Sequence, residues 1–466
     1  MALANPSTTG RTHGAWAFFF IIVTVFIDMV GFGIIMPSMP QLMAELLNGK
    51  QAYLDAKSAD AAGHSEALKT MLSDAAPWGG FITTTYAFMN FMASPVLGGL
   101  SDRFGRRPVL LASIGTLGID YVVMGMSSTV WLLFLSRLLT GISGATQSTA
   151  AAYIADTTEP QNRGKAYGFL GVAFGLGFIL GPAIGGYLSQ FNPRWPFFAS
   201  AGLAFVNFCY GAFVLPESLG REHRRKFDWK RANAFGTFRH LVKVPYLAWF
   251  ILALGLFQFA HWVYPSTFNY FAGVQYGWGP AMVSVGLTVV GIGQAVVQGL
   301  LIGPAIKRFG PTRTAVFGFI VCIFTFAAYS LAPYGWMLFM IAPIGALGSV
   351  LNPAMQQIMS ARTPKNAQGE LQGAISSAQA LANMISPLVM TQTFHYFTSP
   401  GAPAFFPGAS FALAATICAL SLIPLMQGLR SVPKIEQQPP DPKGEDVTPG
   451  PDPSPGASPE TAPQTA

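Results

Sequence analysis

The run GGLSDRFGRRPVLL, Gly98 to Leu111, has a fainter copy 205 residues further on, GPAIKRFGPTRTAV, Gly303 to Val316. Gly98, Arg103, Phe104 and Gly105 return as Gly303, Arg308, Phe309 and Gly310. Outside the motif the same offset takes Trp131 to Trp336, Phe134 to Phe339, Thr158 to Thr363, Gly164 to Gly369, Gly168 to Gly373 and Pro182 to Pro387. Ten identities at one offset over about 85 residues do not arise by chance, so the chain is two copies of one unit. Chemistry is then to be sought where the copies differ.

Both copies are apolar. Only 10% of the chain is charged, 51% is hydrophobic and the mean hydropathy is +0.42, whereas a soluble domain carries about 25% charged residues. Twelve apolar runs are long enough for a hydrocarbon core of about 30 Å: roughly 15–37, 77–99, 108–127, 130–154, 166–189, 195–215, 246–270, 281–305, 313–332, 334–358, 370–395 and 405–427. The first is too long for a signal peptide and contains Asp28, so it reads as a retained span. The pattern predicts an all-α integral membrane protein with twelve transmembrane helices in two pseudo-symmetric six-helix bundles. Cys209, Cys322 and Cys418 fall inside predicted spans, where packing is the expectation rather than a disulfide or a metal site.

Lysine and arginine set the orientation. With the N-terminus in the cytoplasm, inside segments hold 22 of the 27 basic residues and outside loops hold Lys50, Lys57, Lys69 and Arg194. The +7 charge is thus a topology signal, and no basic face for nucleic acid is expected. The chain divides into a cytoplasmic arm (1–14), a first bundle (15–215), a basic linker (216–245), a second bundle (246–427) and a Pro-rich acidic tail (428–466) expected to be disordered. The polar insertion 48–76 is an outside loop with some helical character. Both termini are expected in the cytoplasm.

Parallel repeats of this kind suggest a transporter with its site between the halves. At this point the residues resemble the major facilitator superfamily. Gly98-x-Leu100-x-Asp102-Arg103-x-Gly105-Arg106-Arg107 is similar to its loop signature between spans two and three. The resemblance is closer to tetracycline-resistance efflux proteins, the drug:proton antiporters with twelve spans. It is carried by IDMVGFGIIMPSMPQL (27–42), LSRLLTGISGATQSTAAAYIADTT (135–158), FGLGFILGPAIGG (174–186) and GELQGAISS (369–377), and extends over about 20–427. It implies a proton-driven exporter of the bacterial inner membrane that works as a monomer and needs no cofactor beyond the proton gradient. It also implies a cytoplasmic gate at Gly98, Asp102, Arg103, Gly105, Arg106 and Arg107. Asp102 there would latch onto Arg side chains or a helix N-terminus of the other half. The span-five run resembles an antiporter motif at Gly177, Gly181, Pro182 and Gly185, although close helix packing accounts for the same glycines.

Three charges are embedded in spans: Asp28, Asp120 and Arg137. Each costs about 2.5–3.5 kcal/mol at a helix centre on insertion scales, so such groups face the bundle interior and pair. Asp28 and Arg137 are the expected pair. Arg137 keeps its proton, so a neighbouring carboxylate is the group that titrates. The resemblance assigns all three to proton transfer; a static ion pair that fixes packing is the competing reading.

The second copy departs from the first. Lys307 replaces Asp102, and Glu370 is the one carboxylate between 229 and 435. The tetracycline exporters carry a span-eight His and a span-nine Asp, where this chain has Gln294 and Cys322; Gln298 is kept. Gln147, Gln258, His261, Gln294, Gln298, Asn352 and Gln356 form the expected substrate cavity, mainly apolar with sparse hydrogen bonders, which suits a small amphiphilic solute. No nucleophile–base set, metal cluster or nucleotide loop marks an enzyme. A symporter or facilitator for a small metabolite is the alternative, and a receptor that has lost transport a remoter one. The expected partners are the lipid bilayer, the solute and protons.

Overall fold

The computed structural model describes residues 9–59, 65–144, 146–158, 163–220, 222, 224–225, 227, 245–363 and 367–431, and among these there is no strand. Eighteen α-helices follow in order: α1 (Thr9–Ile35), α2 (Met39–Asn48), α3 (Lys50–Ser58), α4 (Glu66–Phe104), α5 (Arg106–Met126), α6 (Val130–Ser143), α7 (Thr146–Thr157), α8 (Arg163–Phe191), α9 (Trp195–Val214), α10 (Pro245–His261), α11 (Val263–Tyr276), α12 (Pro280–Val296), α13 (Ile302–Leu331), α14 (Gly335–Ala346), α15 (Leu351–Ala361), α16 (Gln368–Thr398), α17 (Ala409–Leu420) and α18 (Leu422–Arg430).

Among the described residues eight helical segments are long and apolar enough to cross a membrane. One of them, Pro280–Leu331, has 52 residues. At about 1.5 Å per residue it is more than twice the hydrocarbon thickness, so it holds two crossings. It breaks at Gly310, whose φ of 77° is non-helical. The long helices α4 and α16 are more polar, and α6 with α7 are short rods in succession. Counted this way, with α3 lying apart, the described residues form twelve rods in two groups of six. The molecule is a multi-pass membrane protein. Phe213 is 87% exposed and Leu331 73%, a degree of apolar exposure that lipid explains and water does not.

The duplication is visible in the backbone. Gly105 and Gly310, one offset apart, both have positive φ (109° and 77°) and both break a helix. Likewise α5 ends at Met126 and α13 at Leu331, the matching residue. Arg103 stacks on Phe104 at 5.1 Å and Arg308 on Phe309 at 5.6 Å.

Within the first half α1 packs on α8 and α9, and α5 on α9. Gly177 meets Met29, Gly181 meets Gly33 and Gly185 meets Ile34, so the glycines of the span-five run bring α8 against the helix that carries Asp28. At Gly33 and Gly181 neither helix presents a Cβ, so the backbones touch there. Cross-helix bonds from Asn207 Nδ2 to the Thr24 carbonyl (3.0 Å) and from Ser200 Oγ to the Gly31 carbonyl (2.8 Å) fix α9 to α1.

The halves meet along α4 with α16, α4 with α11 and α8 with α12. Two bonds in this seam use carbonyls that proline has released. Pro40 lacks the N–H that would bond the Met36 carbonyl, and Asn269 Nδ2 donates to that oxygen at 2.7 Å. Pro77 likewise frees the Ser73 carbonyl, which lies 3.1 Å from His395 Nδ1. Ser73 Oγ and Thr398 Oγ1, 2.6 Å apart, share a further bond. These contacts sit toward the end remote from Gly105 and Gly310. A Cβ placed on Gly168, Gly171, Gly175, Gly299 or Gly303, nearer the basic end, meets no atom within 4 Å.

The insertion 48–76 is more helical than its composition suggested, since α3 and the first turns of α4 lie within it. The arm, most of the linker and the tail beyond Ser431 lie outside the described residues, although α1 begins at Thr9 and α18 reaches Arg430.

Candidate functional site

Arg137 on α6 points into the first bundle. Its Nη2 lies 2.5 Å from Asp120 Oδ2 on α5, and the two side chains are 7% and 2% exposed. The expected partner was Asp28, but Asp120 is the one that pairs. Asp120 and Arg137 belong to neighbouring rods joined by a short turn, which brings them face to face. Two tyrosines close over the guanidinium, Tyr86 with its ring centre 5.7 Å from Arg137 Cζ and Tyr121 at 5.9 Å. Arg137 Nη2 also contacts Met124 Sδ at 2.5 Å. Such rings partly replace the hydration the cation gave up. Tyr86 and Tyr121 were not legible as site residues; an aromatic in a span carries no signal until the cation is seen beneath it.

Asp28 on α1 is 9% exposed and has no ion pair among the described residues. Tyr121 also lies beside α1, where a Cβ on Gly31 would meet its ring at 3.7 Å. The bundle thus holds two carboxylates and one permanent cation, with only one carboxylate neutralised directly.

At the basic end Arg106 gathers the loop. It contacts Asp102 Oδ1 at 2.6 Å, Asp156 Oδ2 at 2.9 Å and Ser101 Oγ at 2.6 Å. Its backbone N–H donates to Glu217 Oε1 at 2.8 Å, and Arg107 donates to the Ala212 carbonyl. The Arg225 N–H donates to the Asp102 carbonyl at 3.2 Å. Among the described residues Asp102 therefore pairs within its own motif and with the start of the linker. Arg103 is exposed, and Gly98 meets nothing within 4 Å. Asp156 and Glu217 were missed; carboxylates where spans end beside a basic loop were the available clue. At the opposite end Arg194 Nη2 pairs with buried Glu45 at 2.8 Å and its Nη1 donates to the Gly125 and Ser127 carbonyls, tying α2, α5 and α9 together.

In the second half the predicted polar strip separates. His261 and Gln294 line a small recess of about 20 Å³, together with Tyr264, Cys322, Phe326 and Tyr329. Gln294 and Cys322, the positions where the resemblance implied a departure, thus line one recess beside His261. Gln298 and Gln356 are exposed and take no part in it. Gln258 Oε1 and Asn352 Oδ1 are buried without a hydrogen-bond partner, away from its wall. The Gln147 side chain lies outside the described residues. Among the described residues no group of three or more His, Cys, Asp or Glu is placed to hold a metal.

Two offset-related helical halves, a buried Arg–carboxylate centre and a polar recess inside an apolar shell are the parts of a secondary transporter. The chain belongs to the Major Facilitator Superfamily, whose family model matches residues 21–387 and 256–459. It is 33% identical over 374 residues to the tetracycline resistance protein, class C, of Escherichia coli, covering 80% of this chain and 88% of that one. It is 32% identical to the class B protein of the same organism, with the same coverage. Among solved structures, the nucleoside transporter NupG superposes with a TM-score of 0.68 at 13% identity, covering 89% of this chain and 100% of that one.

Proposed function

We propose that this protein exports tetracycline or a related amphiphilic drug in exchange for protons, as a monomer in a bacterial inner membrane. Its basic end and both termini face the cytoplasm, where most of the lysine and arginine lies. The observation that carries the reading is the buried Arg137–Asp120 pair with a second buried carboxylate, Asp28, on α1 of the same bundle. A permanent cation in one bundle with two carboxylates of unequal pairing gives a proton somewhere to bind, and its arrival changes which charges need each other. The chain's similarity to tetracycline resistance proteins supplies the substrate class.

Rocking of the halves completes the cycle. The seam bonds at Met36–Asn269 and Ser73–His395, and the open space round Gly168 to Gly175, support an arrangement closed outside and open to the cytoplasm. Asp102, Arg106 and Asp156 then stand ready as the opposite gate.

The test is counterflow in liposomes holding the purified protein. Tetracycline added against an imposed pH gradient is expected to release protons in wild type, and not in Asp28→Asn or Arg137→Ala. Export that continues undiminished after the gradient is collapsed refutes antiport.

A further inference from the structure

Tyr121 and its counterpart in the second copy differ by one oxygen. Adding 205 turns Tyr121 into Phe326, Asp120 into Thr325 and Arg137 into Ala342. Tyr121 and Phe326 are each 1% exposed, so both copies keep a buried ring at this place. Packing explains the ring. It does not explain the hydroxyl, which stands in the copy that holds the ion pair and is missing from the copy that lacks it.

That hydroxyl is unpaired. The Tyr121 oxygen is buried with no hydrogen-bond partner, whereas the Tyr86 oxygen accepts from Asn90 Nδ2 at 3.3 Å. A buried donor left unmade costs stability, and phenylalanine would avoid the cost. A hydroxyl kept against that cost points to a partner met in another state of the site.

Its position names the partner. A Cβ on Gly31 would lie 4.0 Å from the Tyr121 oxygen. Gly31 is three residues beyond Asp28, so the two share one face of α1. Asp28 is buried and has no ion pair among the described residues, while Arg137 is taken by Asp120. The helices packed on α1 offer no rival charge at this level. There α8 brings glycines to α1, and α9 brings Ser200 and Asn207. Tyr210 of α9 lies about two turns away, its ring against Phe20. On α7, Tyr153 donates to the Pro216 carbonyl at 3.0 Å and Asp156 is held by Arg106.

We infer that the Tyr121 hydroxyl is a positioning group for proton exchange at Asp28, donating to the carboxylate once its proton has left. Asp28 gives that proton to water, and Tyr121 keeps its own while turning it toward the vacated oxygen. A hydrogen bond to the ionised form favours release. That the released proton drives export rests on the function proposed above; the hydrogen bond does not.

The probe is dicyclohexylcarbodiimide, which reacts with protonated carboxyl groups in apolar surroundings. Labelling of Asp28 in the full chain in nanodiscs is followed against pH by peptide mass spectrometry. In Tyr121→Phe, labelling is expected to persist to a pH about one unit higher than in wild type, because a donor to the ionised form is gone. Thermal stability should equal or exceed that of wild type, since the ring stays and the unpaired hydroxyl goes. A purely structural role predicts the reverse, lower stability with an unmoved labelling profile. An unmoved profile in Tyr121→Phe overturns the inference. So does a shift found in Thr24→Val instead, because Thr24 Oγ1, one turn from Asp28 on α1, is also buried without a partner. Proton-driven tetracycline export in the same preparations separates the two claims. In Tyr121→Phe it should need an internal pH about one unit higher. A shifted labelling profile in a chain whose wild type moves no tetracycline supports the role of the hydroxyl and refutes the drug reading.

Discussion

Arg137 Nη2 and Asp120 Oδ2 lie 2.5 Å apart inside the first bundle, and Tyr86 and Tyr121 cover the guanidinium. The pair is withdrawn from lipid and water, so its two members depend on each other. Removing one strands the other, which costs about 3–5 kcal/mol in buried pairs. Arg137→Ala is therefore expected to lower thermal stability in detergent markedly. Asp120→Ala with Arg137→Ala should recover part of that loss, because no buried charge is left alone. Both variants should fail in counterflow. If the double variant is no more stable than Arg137→Ala, the two residues are not mutual partners.

Asp28 has no ion pair among the described residues, so Asp28→Asn should fold with a stability change within about 1 kcal/mol. Its effect should fall on coupling. Downhill tetracycline exchange is expected to persist while uphill export driven by a pH gradient disappears. Uphill export at the wild-type rate would remove Asp28 from the coupling scheme.

The span-five glycines make opposite predictions a few residues apart. A Cβ on Gly181 would lie 2.6 Å from Gly33 Cα, backbone against backbone, so Gly181→Leu should abolish the folded monomer in size-exclusion chromatography. Gly175 meets nothing within 4 Å, and Gly175→Ala should elute and transport as wild type does. Equal tolerance at the two sites would mean that α1 and α8 do not touch as described.

The seam depends on carbonyls freed by Pro40 and Pro77. His395→Ala with Asn269→Ala removes both donors to them, each bond being worth about 1 kcal/mol. The population should shift toward outside-open by roughly one to two orders of magnitude. Spin labels on exposed Glu66 and Tyr396 should report a longer distance by double electron–electron resonance. An unchanged distribution would show that the seam is held by packing alone.

Much of this protein was written in one dimension. A repeat at a fixed offset, apolar runs of membrane length and the bias of lysine and arginine are properties of order along the chain. They predict two six-helix halves before any contact is known, because in lipid the backbone has only helices and closed barrels available. The same is true of the three charges in the first half, since a charge in a span is costly enough to be conspicuous.

Pairing was decided in three dimensions. Asp28 and Asp120 are both carboxylates in spans, and nothing in their spacing says which meets Arg137; the short turn between α5 and α6 settles it for Asp120. The tyrosines over Arg137, the glycine contact of α8 with α1 and the bonds to proline-released carbonyls are hidden for the same reason. Each joins residues far apart in sequence, through helix rotations that periodicity alone leaves free. The recess is the clearest case. Thr325 and Ala342 look unremarkable one by one, and only the structure gathers them on the wall of one recess, at the positions that match Asp120 and Arg137 of the first copy.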